Sequence, residues 1–88
     1  MENISLDGDY DIARVSELQA LLQDIESDVT IDCADVTYID SSCIALIISL
    51  QQRLRRTDHQ ATLILPGGSA RKVFEILEMH RLFRTVDA

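Results

Sequence analysis

The chain has 88 residues, 15 acidic and 8 basic side chains, a formal net charge of −7 and 47% apolar residues. A chain of this length supports one compact core and no second, so residues 1–88 read as a single domain. The acidic balance repels nucleic acid and anionic membrane. No apolar run approaches the roughly 20 residues that span a bilayer, and the start Met1-Glu2-Asn3-Ile4 carries no basic leader. A cytoplasmic protein without membrane insertion is expected.

In chain order, Asn3 to Leu6 reads as a short strand and Asp7-Gly8-Asp9 as the turn that ends it. Ile12, Val15, Leu18, Leu22 and Ile25 recur at helical spacing, which predicts an amphipathic first helix to about Ser27. Val29 to Cys33 and Val36 to Ile39 are strand-like, and Asp35 between them marks a bulge or break. Ser41 or Ser42 then opens a second helix, running to about Thr57 and turned inward over nearly all of its first three turns. So wide an apolar face calls for a second layer or a partner to cover it. Arg53, Arg55 and Arg56 fall at its end, where cations complement the helix dipole.

Ala61 to Leu65 reads as a buried strand and Pro66-Gly67-Gly68 as a loop. Ser69 is the expected cap of a third helix, with Val73, Phe74, Ile76 and Leu77 facing inward. Leu82 to Val86 closes the chain as a turn and strand. Strands alternating with helices predict an α/β fold: a largely parallel sheet of about four strands and three main helices, in two or three layers with right-handed crossovers.

Charge is divided unevenly. Residues 1–40 hold eleven acids against the single cation Arg14, whereas residues 41–88 hold four acids and seven cations. The acidic half favours a basic protein partner. In parallel sheets, partners gather where strands end and helices begin. Asp40-Ser41-Ser42 lies at such a junction, as do the acidic turn Asp7 to Asp11 and the loop Pro66 to Ser69, so the three form one candidate edge. There a hydroxyl and a carboxylate meet the unpaired N–H groups and positive dipole end of a helix, a place suited to a phosphate and equally to a plain cap.

Other constellations are weaker. Asp7, Asp9 and Asp11 lack the distal glutamate of a calcium loop, and Pro66-Gly67-Gly68-Ser69 lacks the lysine of a P-loop, so neither predicts a metal or nucleotide site. Cys33 and Cys43 read as small buried apolar residues. His59 and His80 have no nucleophile near them in sequence, which leaves little support for a hydrolase or phosphocarrier built on Ser41 or Cys43. No enzymatic activity and no cofactor are expected.

The segment Val29 to Leu54, with its acidic strand, Asp40-Ser41-Ser42 and apolar helix, resembles the core of the STAS domain, the fold of bacterial anti-sigma factor antagonists. Gly8-Asp9-Tyr10-Asp11 is similar to the family's Gly-x-x-Asp turn, and Ser69 to Val86, with Leu82-Phe83, to its last helix and strand. The resemblance implies a regulator phosphorylated on the residue after the conserved aspartate, here Ser41, with Ser42 as second choice. It implies a partner-binding surface of Asp9, Asp11, Asp40, Ser41, Ser42 and Cys43. The implied partners are an anti-sigma factor of the serine-kinase type, which supplies ATP and magnesium, and a serine phosphatase. The unmodified form would bind the anti-sigma factor and free a sigma factor.

The chain departs from the pattern at Cys43 and at Arg81, where the family usually has glycine. Its amino end precedes the Gly8 turn by a single short strand, which leaves a sheet edge open to homodimerisation. A second role on the same fold is a constitutive adaptor on the ATPase of an ABC-type lipid transporter, with Ser41 a contact rather than a switch.

Overall fold

The computed structural model describes residues 2–87, so Met1 and Ala88 of the expected 1–88 domain lie outside the described residues. Strand β1 (Glu2–Tyr10) leads through a short 3-10 turn (Ile12–Arg14) into helix α1 (Val15–Leu22). Strand β2 (Val29–Ile39), helix α2 (Ser41–Arg55) and strand β3 (Ala61–Leu65) follow. Helix α3 (Gly68–Ile76), a second 3-10 turn (Met79–Arg81) and strand β4 (Arg84–Asp87) complete the order. The sheet runs β1-β2-β3-β4 with every neighbouring pair parallel.

Sequential parallel neighbours joined by right-handed crossovers place every helix on one face of the sheet, which gives two layers. Burial follows this rule. Val29, Ile31, Cys33, Ala61 and Leu63 are buried beneath the helices, whereas the alternating Thr30, Asp32, Thr62 and Ile64 are half-buried on the open face. Leu18 and Leu22 of α1, Ile44, Ile47, Leu50 and Leu54 of α2, and Phe74 of α3 fill the layer between. Among the described residues, no helix is long and apolar enough to cross a membrane.

Differences from the sequence reading have local causes. β1 spans nine residues rather than four because Gly8 adopts φ +73, which lets the strand pass through a bulge where a turn was expected. The pairing Ser5 with Asp32 and Asp7 with Asp35 leaves one extra residue in β2, and the step from Gly8–Val36 to Asp9–Tyr38 leaves another. Asp35 therefore marks a bulge and not a break. The Asp32 carboxylate accepts the Ala34 N–H at 2.9 Å inside it.

α1 begins three residues later than its apolar spacing implies, since Asp11 caps the Ile12–Arg14 turn by accepting the Ala13 N–H at 3.0 Å. Ile12 is consequently 77% exposed, outside the core where its spacing placed it. Helix α3 is capped by Gly67, with Ser69 inside the first turn rather than at the cap. Of its expected inward residues, Phe74 is buried and Val73 half-buried, but Ile76 and Leu77 are exposed because the helix ends there.

Candidate functional site

Asp40 joins β2 to α2. Its backbone is extended and its Oδ1 accepts the N–H groups of Ser42 at 3.0 Å and Cys43 at 3.2 Å, so it satisfies two of the free donors of the first helical turn. The Ser42 hydroxyl donates to the same oxygen at 3.1 Å and is half-buried. Ser41, the first helical residue, is exposed, and among the described residues its hydroxyl has no partner. The two serines thus differ in a way their sequence does not show.

The ends of β1 and β2 are fastened side by side. The Asp40 N–H donates to the Tyr10 carbonyl at 3.1 Å, and the Cys43 thiol lies 3.8 Å from the Asp11 carbonyl. Asp11 and Asp40 are brought together in this way, with Cys43 filling the space between the acidic turn and the helix start. Burial is the chief cause that raises the Cys43 thiol pKa, helped by the Asp40 carboxylate. At neutral pH the group is a thiol, inert as a nucleophile. Asp9 points to the other side, where its carboxylate accepts the Thr37 hydroxyl across the two strands.

Arg14 is the residue that sequence reading passed over. Its guanidinium donates to the Asp7 carbonyl at 2.6 Å, the Tyr10 hydroxyl at 3.1 Å and Glu17 Oε2 at 2.7 Å, and stacks 3.8 Å from the Tyr10 ring centre. The hydrogen bond from Arg14 is the main cause that holds the Glu17 carboxyl below its ordinary range. One cation among eleven acids was the available signal: it is the one charge in that half able to tie the turn together. The loop Pro66–Ser69 stands on the opposite flank of β2, facing Ala34 to Thr37. Of the basic cluster ending α2, Arg53 caps a neighbour, donating to the Leu22 carbonyl at 2.9 Å and the Ile25 carbonyl at 2.6 Å beyond the end of α1.

A parallel four-stranded sheet carrying its helices on one face, with a capped serine pair where the second strand enters its helix, defines the architecture of a STAS domain. Residues 2–85 match the family model described as "Mlab, STAS domain", and the chain belongs to that family. Two solved structures share the fold. The anti-sigma factor antagonist SpoIIAA in its unphosphorylated form superposes with a TM-score of 0.72 at 22% identity, over 98% of this chain and 78% of the other. The Bacillus cell fate determinant SpoIIAA in the phosphorylated form gives 0.73 at 22% identity, over 98% and 80%. A comparison with curated proteins gave no match.

Proposed function

We propose that this chain is an anti-sigma factor antagonist whose binding is switched by phosphorylation of Ser41. Unmodified, it binds an anti-sigma factor kinase through Asp9, Asp11, Asp40, Ser41, Ser42 and Cys43, and so frees a sigma factor. The observation that carries the reading is the contrast between the serines: the Ser41 hydroxyl is exposed and without a partner among the described residues, while the Ser42 hydroxyl is held by Asp40. In the kinase complex the Ser41 hydroxyl gives up its proton and takes the γ-phosphoryl group of ATP held by the partner, leaving ADP. A serine phosphatase reverses the step by hydrolysis.

The modification adds about −1.5 to −2 charge to an edge that already carries Asp11 and Asp40. Desolvating such a charge against a partner costs a few kcal/mol, and about 3 kcal/mol weakens binding by roughly a hundredfold. The fold is spared because Ser41 points to solvent.

The constitutive adaptor, with Ser41 a contact rather than a switch, is the second reading. On that reading the helix start is complete as it stands, with Asp40 accepting two of the free N–H groups of its first turn. Affinity capture with Ser41→Ala and Ser41→Asp, followed by kinase treatment of the wild type and mass spectrometry, separates the two. The switch predicts a partner retained by alanine and lost with aspartate, and a phosphate on Ser41. A partner that ignores both substitutions, with Ser41 left unmodified by that partner and ATP, sinks the switch and supports the adaptor.

A further inference from the structure

β2 is longer than the sheet needs on one side. β1 pairs with it as far as Ile39, but on the opposite side β3 pairs only with Val29 to Asp32, because β3 ends at Leu65 and Pro66 cannot continue the ladder. Ala34 to Tyr38 therefore overhang with a strand neighbour on one side only among the described residues. In a parallel ladder every second residue turns both its N–H and its C=O to the same side, so the overhang beyond Ala34, whose N–H the Asp32 carboxylate already takes, presents backbone donors and acceptors to the cleft.

That position is a cleft of about 520 Å³, walled by Ala34 to Thr37 on one side and Gly67 to Ser69 on the other. A Cβ placed on Gly67 or Gly68 would meet nothing within 4 Å, so neither glycine of the far wall is hemmed in by neighbouring atoms. The charge along the near wall is one-sided. Asp7 stands directly opposite Asp35 in the ladder, and both are exposed. Like charges in directly opposed positions repel, and the next position in that row is the vacant one.

We propose that the cleft receives an extended segment of a partner protein that adds a short strand to the free edge of β2 and sets a lysine or arginine beside Asp35. The main chain supplies the hydrogen bonds and the acidic row selects the cation. This contact is separate from Ser41 and needs neither a kinase nor ATP.

The test is titration of the ¹⁵N-labelled full chain with the acetylated, amidated peptide Thr-Val-Lys-Val-Lys-Val. Expected are amide shifts confined to residues 35–38 and 67–70, and at least tenfold weaker binding when glutamate replaces both lysines. Gly67→Val adds a branched side chain to a residue that lines the cleft, at a backbone position of φ −100 that any residue adopts, and is expected to keep the fold while weakening the peptide at least tenfold. Asp35→Lys is expected to invert the preference between the two peptides. No shifts at millimolar peptide, shifts elsewhere on the surface, or unchanged affinity in Gly67→Val would each overturn the proposal.

Discussion

The Oδ1 atom of Asp40 lies 3.0 Å from the backbone nitrogen of Ser42 and 3.1 Å from its hydroxyl, so one carboxylate oxygen both caps α2 and immobilises the second serine. Stability and chemistry meet at this residue. Asp40→Ala is expected to destabilise the fold by about 1 kcal/mol, the usual cost of a lost N-cap, and to lower Tm by about 4 to 8 °C. Asp40→Asn keeps an acceptor and is expected to recover most of the loss. Thermal unfolding of both, monitored by circular dichroism, checks the order.

Gln51 is the one buried polar residue among those described, and both ends of its amide are used: Nε2 donates to the Leu82 carbonyl at 2.7 Å and Oε1 accepts the Ala61 N–H at 2.7 Å. It ties α2 to the start of β3 and to the approach to β4. Gln51→Leu preserves volume but strands the buried Ala61 N–H, at about 2 kcal/mol. Urea unfolding with an unchanged m-value and a lowered midpoint is the expected result.

Asp58 closes α2 in the left-handed conformation, φ 61, with its N–H donating to the Arg55 carbonyl at 3.3 Å and the His59 N–H to the Leu54 carbonyl at 3.0 Å. Glycine occupies such a position without steric cost. Asp58→Gly should raise stability by about 0.5 to 1 kcal/mol, and Asp58→Val should lower it, because a β-branched side chain clashes there. Tm values in the order glycine, aspartate, valine are expected.

The Asp28 carboxyl is held below its ordinary range first by the Gln60 N–H, which donates to it at 2.9 Å, and then by His59 at 3.3 Å. A folded-state pKa below the unfolded value means stability that is present above about pH 4 and is lost as pH falls through the folded pKa. Asp28→Asn is therefore expected to flatten the decline in Tm below pH 4 relative to wild type. An unchanged acid limb would show that Asp28 contributes nothing to it.

Burial pushes the Cys33 thiol up to about 12, with Asp32 adding to the shift. An unfolded cysteine titrates near pH 8.5, so the native state keeps its proton where the unfolded state has lost it. This contribution is complete below about pH 8.5 and is lost as pH rises toward 12. Native Cys33 should resist a thiol-specific reagent at pH 8 and react at once in denaturant, as read by mass spectrometry of the modified chain.

Most of the architecture was legible because the apolar spacing of the helices and the strand-forming runs point to the same alternating order. Ile12 and Ile76 show where that logic stops. Periodicity names a face but not the last residue that has a neighbour to bury against, so both ends of a helix are overextended by it. Gln51 and Arg53 were unreadable for a different reason: their partners are backbone groups 31, 10 and 28 residues away, and no local pattern announces a distant carbonyl or N–H. At the candidate site the junction Asp40-Ser41-Ser42 was visible as a sequence element. Which serine is free was not, since that depends on the single rotamer in which Ser42 turns back to Asp40.

The bond from the Asp40 N–H to the Tyr10 carbonyl, and the Cys43 thiol seated against Asp11, fix the start of α2 to the neighbouring strand end. A group placed on Ser41 would therefore stand on a helix start that is tied to the neighbouring strand end. If Ser41 is modified as proposed, the change is expected to be read at the exposed surface by contact rather than through movement of the strand ends beneath it.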